Sequence, residues 1–230
     1  MVGVPVAIFR AEELGAALAV TEGLEAGGGQ AGDVALIFAN TPAAIAPWGG
    51  RKGVFGTNPI AFACPLPEGP PIVVDLSLSK VARGNILAAK QRGERIPDDW
   101  ALDETGRPTS DPEAALKGTM LPLGDAKGTA LALMVELLAA GLTGASYAAD
   151  ASSFLDDKGG PPGTGQLIVA LDPAAFGGAD AAARFGALAV MIEAQAGARL
   201  PGRRRLALRE KARREGLPIA DALLLEIENL

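Results

Sequence analysis

The run from Gly128 to Ala145 is the most apolar stretch of this chain, and it carries a single charge, Glu136, near its middle. Its length is that of a membrane span. A carboxylate at the centre of a bilayer is costly and rare, however. The run is therefore predicted to be a long helix, from about Lys127 to Thr143, buried inside a globular protein. A chain of 230 residues can build such an interior, because folding at this size buries roughly 70% of the surface the unfolded chain exposes. Apolar residues at 49% and charged residues at 21% fit that reading and argue against disorder. Aromatics are only 4%, so the core must be built from Ala, Leu, Val and Ile.

The chain contains no histidine. That removes the commonest general acid or base near neutral pH and the commonest metal ligand, along with every Ser-His or Cys-His nucleophile arrangement. One cysteine, Cys64, excludes an intramolecular disulfide framework and a cysteine-based zinc site. No metal site is expected. The net charge of −6 is uneven: residues 199–214 carry eight cations against Glu210, a local +7, which leaves −13 elsewhere. An acidic body argues against nucleic-acid binding, and the basic cluster suits an anion or a solvated helix face. The start of the chain lacks a basic segment followed by a long apolar one, so a cytoplasmic protein without membrane attachment is expected.

Periodicity and breakers organise the chain. Val2–Phe9 reads as a strand, Ala11–Ala26 as a helix stopped by Gly27–Gly29, and Asp33–Ala39 as a buried strand, a βαβ-like order. Strands are predicted at Pro59–Cys64 and Ile72–Asp75 and a helix over Leu78–Gln91; Arg92–Thr119 is rich in turns. After the apolar helix come a Gly/Pro-rich loop, a strand at Gln166–Leu171, a helix over Ala179–Ala196 and two short helices broken by Pro218. The fold class is α/β in the mixed α+β sense, with no linker that divides the chain, so residues 1–230 are expected to form one domain. The string Gly27-x-Gly29-x-x-Gly32 matches the dinucleotide fingerprint. Its context is reversed, since the fingerprint needs a strand before it and a helix after it; it reads as a helix stop.

Several loop segments carry more specific grammar. They are Ala46-Pro47-Trp48-Gly49-Gly50-Arg51, Gly56-Thr57-Asn58-Pro59-Ile60, Val74-Asp75-Leu76-Ser77, Trp100-Ala101-Leu102-Asp103, Leu121-Pro122-Leu123-Gly124 with Lys127-Gly128, Asp172-Pro173 near Phe176-Gly177, and Arg199-Leu200-Pro201-Gly202-Arg203. Taken in order, they resemble the type 2 malate/L-lactate dehydrogenases. That family includes ureidoglycolate, sulfolactate and diketogulonate dehydrogenases and the Δ1-piperideine-2-carboxylate/Δ1-pyrroline-2-carboxylate reductases.

The resemblance implies a nicotinamide-dependent oxidoreductase with its own cofactor fold, unrelated to Rossmann and often dimeric, taking NADPH or NADH. It places the dinucleotide against Pro71, Ile72, Val73, Val74, Asp75, Leu76 and Ser77, against Ala126 and Lys127, and against the Gly202-Arg203-Arg204 turn. The Arg203 and Arg204 forks suit a phosphate, including an adenosine 2′-phosphate. Asp75 matches a family carboxylate that orients the catalytic histidine. The family's Ser-His-Gly motif belongs to an N-terminal helical segment, and the chain is expected to lack it, beginning at the strand that follows. A second family histidine aligns with Glu13, which is no substitute for an imidazole. The implied substrate is a small 2-keto acid or a cyclic imino acid. The cyclic imino acid is preferred because Ala151-Ser152-Ser153-Phe154 and Pro162-Gly163-Thr164-Gly165-Gln166 resemble that branch. Three readings follow: a reductase, a nucleotide-binding pseudoenzyme, or one subunit of a split enzyme. A homodimer, or a partner supplying the missing segment, is expected to cover the Ala/Leu-rich faces of Ala11–Ala26 and Lys127–Thr143.

Overall fold

A computed structural model describes residues 32–154, 156, 158–219, 224, 225 and 227. The strand expected at Val2–Phe9, the helix at Ala11–Ala26 with its Gly27–Gly29 stop, and Glu13 lie outside the described residues, as does most of the last helix beyond Pro218. The described elements are β1 (Val34–Ala39), β2 (Ile60–Cys64), β3 (Ile72–Leu76), α1 (Arg83–Arg92), β4 (Ala101–Leu102), α2 (Pro112–Lys117), β5 (Thr119–Met120), α3 (Ala126–Glu136), β6 (Gln166–Leu171), α4 (Pro173–Gly177), α5 (Ala181–Glu193) and α6 (Arg203–Glu215).

The main sheet runs β3-β2-β1-β6, and every neighbouring pair is antiparallel. The strand and helix that open the βαβ-like unit lie outside the described residues, and the mixed α+β class holds. Alternation in β1 sends Ala35 and Ile37 to one face, with Ala61 and Ala63. Phe38 and its neighbour Leu36 face the other side, where Ala132, Val135 and Ala139 of the apolar helix complete the principal core. That helix is α3, continued from Leu137 to Gly141 as a wider π turn. Apolar side chains on both faces of a strand require cover on both.

A second core lies under α1, α2 and the β4–β5 ribbon, formed by Val81, Ile86, Ala89, Ile96, Ala101, Ala115 and Met120. Fully buried Ile45 bridges the two, pairing with Phe55 and with Met120. Among the described residues, no helix is long and apolar enough to cross a membrane.

Boundaries differ where tertiary contacts override local propensity. The helix predicted over Leu78–Gln91 begins only at Arg83. Leu78 is drawn out of it because its side chain is fully buried in the principal core. The Ser77 and Ser79 hydroxyls pair at 3.0 Å, and Ser79 Oγ donates to Val81 O at 2.8 Å, so the backbone is satisfied outside a helix. The turn-rich stretch Arg92–Thr119 contains α2, whose N-cap Asp111 accepts from Glu113 N ahead of Pro112. The same Asp-Pro device starts α4, which sequence reading missed, at Asp172-Pro173.

Leu78→Ala is expected to lower stability by about 2–5 kcal/mol, the cost of emptying a filled core position. Leu87→Ala, at a half-exposed site on α1, should fall within about 0.5 kcal/mol of wild type. Urea unfolding followed by circular dichroism distinguishes the two through the midpoint, with an unchanged slope in both.

Candidate functional site

β3 is an edge strand of the described sheet, paired with β2 on one side. Asp75 sits opposite Ala61, and the strand ends one residue later. Beyond it the chain is clamped on two sides. Leu78 N donates to Thr57 O at 2.7 Å, while Leu78 O accepts from Leu123 N and Lys80 N donates to Leu121 O, both at 2.8 Å. The segment after Asp75–Ser77 is thereby fixed between the Gly-Thr-Asn turn and the residues that open α3, the helix bearing Ala126 and Lys127.

The start of α6 closes on the same strand. Gly202 holds a φ of +83°, and a Cβ there would come within 2.9 Å of Val73 O, so only glycine lets this turn lie against β3. Arg205 Nη1 reaches Asp75 Oδ2 at 2.8 Å. Arg203 Nε pairs with Glu193 Oε1 at 3.1 Å, and no described carboxylate pairs with Arg204 or Lys127. The structure therefore brings Val73 and Asp75 together with Gly202–Arg205 by direct contact. It brings Ala126 and Lys127 to the end of β3 through the 78–80 and 121–123 segments.

The electrostatics suit an anion. Helix N-termini carry partial positive charge and free N–H groups, yet neither α3 nor α6 has an acidic residue in its first turn. Asp125, at the N-cap of α3, adopts a positive φ of 59° and makes no capping bond. α6 begins with three arginines, an arrangement that disfavours the helix unless negative charge meets it. A phosphate group would suit such ends, and Arg204 and Lys127 stand there without a described carboxylate partner. The carboxylate assigned to orienting a histidine is occupied here by Arg205.

Sequence reasoning missed a buried polar cluster behind this surface. Glu136 is 4% exposed. Its Oε1 accepts from Ala148 N at 2.6 Å and Asn40 Nδ2 at 3.3 Å, and its Oε2 accepts from Asn58 Nδ2 at 2.8 Å. Asn58 Nδ2 also donates to Ala132 O at 2.9 Å, while Asn58 Oδ1 is buried without a partner. Both residues were conspicuous in the sequence, Glu136 as the lone charge of an apolar run and Asn58 within Gly-Thr-Asn-Pro. Their pairing had no local signal. The Pro47-Trp48-Gly49 loop is tied to the first turns of α3, where Trp48 N donates to Thr129 Oγ1 at 2.8 Å.

The family model described as malate/L-lactate dehydrogenase matches residues 6–228. A (2R)-3-sulfolactate dehydrogenase (NADP(+)) of Chromohalobacter salexigens is 50% identical over 97% of this chain and 66% of its own length. A Δ1-pyrroline-2-carboxylate/Δ1-piperideine-2-carboxylate reductase of Pseudomonas aeruginosa is 44% identical over 86% of this chain and 60% of its own. The chain thus spans two thirds or less of the length of these two relatives. Among solved structures, the Δ1-piperideine-2-carboxylate reductase of Pseudomonas syringae pv. tomato superposes with a TM-score of 0.78 at 39% identity, covering 86% of this chain and 60% of that one. The sulfolactate dehydrogenase of Methanocaldococcus jannaschii gives 0.73 at 31% identity, covering 83% and 56%.

The Asp75–Arg205 pair is partly exposed on both sides, and such pairs contribute little. A double-mutant cycle with Asp75→Asn and Arg205→Gln should give a coupling of about 0.2–1 kcal/mol that shrinks as salt is raised. Behind the site, Lys80 Nζ lies 2.7 Å from Asp99 Oδ2. The hydrogen bond from Lys80 holds the Asp99 carboxyl below its ordinary value, and the same bond raises Lys80. The pair's contribution is present above the unfolded Asp value near 3.9 and fades as pH falls below it. At the alkaline end it fades as pH rises past the unfolded Lys value near 10.4. Asp99→Asn should flatten part of the acid limb of stability against pH, measured by urea midpoints.

Proposed function

The chain belongs to the malate/L-lactate dehydrogenase family, and we propose that it forms the cofactor-binding domain of a cytoplasmic NAD(P)H-dependent oxidoreductase acting on a small 2-keto or cyclic imino acid. The observation that carries this reading is the approach to β3 of the α6 start and, at the end of the strand, of the segment that opens α3, each a helix without an acidic residue in its first turn. The bound dinucleotide would supply the hydride. The chain's own residues hold it: Pro71–Ser77 offer edge-strand backbone, while Lys127 and Arg204 meet phosphate, with Ala126, Gly202 and Arg203 shaping the two turns. Arg204 favours NADPH, whose 2′-phosphate suits a guanidinium fork, and the relative at 50% identity carries NADP(+) in its name.

The named substrates of the relatives, sulfolactate and the pyrroline and piperideine carboxylates, share a carboxylate next to the carbon that changes oxidation state. The cyclic imino acid is favoured by the 151–154 and 162–166 segments, where Ser146 N donates to Gly163 O at 2.9 Å and Asn40 N donates to Gly165 O at 3.2 Å. The 230 residues contain no histidine, so Asp75 has no imidazole within them to orient, and a histidine proton donor would have to come from outside them. A homodimer, or a partner that supplies this group, fits the exposed apolar side chains of α3, Leu131, Leu133 and Met134, and Leu137 beyond it. A second reading, a nucleotide-binding pseudoenzyme, is favoured by the occupation of Asp75 by Arg205.

Calorimetry of the 230-residue chain should show binding of NADPH, with NADH weaker by about tenfold or more. Binding of neither would overturn the cofactor reading. The same chain should reduce Δ1-pyrroline-2-carboxylate and pyruvate negligibly, and turnover approaching about 10 per second would show that a proton donor is present after all.

A further inference from the structure

Asn58 combines features that each cost free energy. Its backbone is left-handed, at a φ of 41°, and its Oδ1 is buried without a hydrogen-bond partner. It also faces the buried carboxylate of Glu136. Strained backbone and orphaned polar atoms persist where the surrounding structure over-determines them, and they concentrate at functional segments.

What the arrangement holds in place is visible on either side of Asn58. Its Nδ2 donates to Glu136 Oε2 and to Ala132 O, both on α3. One residue earlier, Thr57 O accepts from Leu78 N and fixes the turn that follows Asp75–Ser77. Asn58 thus spans the distance from α3, which opens with Ala126 and Lys127, to the end of β3. We propose that Asn58 is the strut that sets the spacing between these two dinucleotide-binding segments, and that Glu136 is the positioning residue that orients it.

Glu136 acts through Asn58. Because Asn58 Oδ1 has no partner, the direction of the amide rests on the two acceptors in front of Nδ2. Glu136 in turn is held by its other oxygen, which Ala148 N and Asn40 Nδ2 both meet. Rotating the carboxylate away from Asn58 would break those two bonds. The cluster therefore converts the packing of α3 into a fixed position for β3, and this role rests on the nicotinamide-binding reading given above.

The test is calorimetric titration of the 230-residue chain with NADPH, with thermal unfolding measured alongside. In Glu136→Gln a side-chain NH2 faces Asn58 Nδ2, donor against donor. Asn58→Gly keeps the left-handed backbone and removes the amide. Ile86→Val, in the second core, reports how far a loss of stability alone moves affinity. Glu136→Gln and Asn58→Gly should each weaken NADPH binding by about tenfold, with Ile86→Val staying within about twofold. If wild type binds while Glu136→Gln and Asn58→Gly bind within about twofold of it, the strut is refuted and the cofactor reading survives. An Ile86→Val loss as large as theirs refutes it equally. Should Glu136→Gln fail to fold, Asn58→Gly decides. A wild-type chain that does not bind NADPH overturns both readings together.

Discussion

The carboxylate of Glu136 is withdrawn from water, and its lone pairs are answered by three N–H donors drawn from Asn40, Asn58 and Ala148. A buried carboxylate without such donors costs several kcal/mol or changes its protonation, so the three segments and the helix that carries Glu136 must come together or not at all. The dependence spreads from there. Asn40 Nδ2 also donates to Ser146 O, and its Oδ1 accepts from Gly165 N at 2.7 Å, tying the end of β1 to the start of β6. Gly165 itself has no room for a side chain, since a Cβ would lie 2.0 Å from Ala139 O. One end of the sheet is thus assembled around a single acidic side chain set in an otherwise apolar helix.

That assembly leaves β3 as the surface on which the other parts meet. Its inner edge is paired to β2, and its end is fixed by Thr57 and Leu123. Rigid elements hold a binding constellation more exactly placed than free loops do, and the proposed dinucleotide site is built from a strand and two helix starts. The second core under α1 and α2 stands behind the same segment, because Lys80 is tied to Leu121 O and to Asp99.

Much of this was legible where the signal is local. β6 was read to the residue because an apolar run lies between Gly165 and the Asp172-Pro173 cap, and β1, β2 and β3 came within one residue for similar reasons. Helix starts were less legible. Leu78 belongs to a helical-looking stretch, but core burial pulls it into an extended segment. The resemblance to known dehydrogenases supplied the three segments of the proposed site, and the structure sets the α6 start against β3. The contacts that join them were out of reach of sequence reading: Arg205 meets Asp75 across 130 positions, and Glu136 meets Asn58 across 78. Local propensity and periodicity contain no information about such pairs.

The close approach of Gly202 to Val73 has a consequence for how the protein behaves in a crowded solution. An edge strand presents unpaired N–H and C=O groups that invite another chain to extend the sheet. Here the α6 turn sits over β3 at Val73, so the turn proposed to meet phosphate doubles as a cover on that strand. A bulkier residue at position 202 would lift the turn away and uncover β3 at the same time. Loss of ligand recognition and a tendency to self-assemble through β3 would then arrive together, as two outcomes of one displaced glycine.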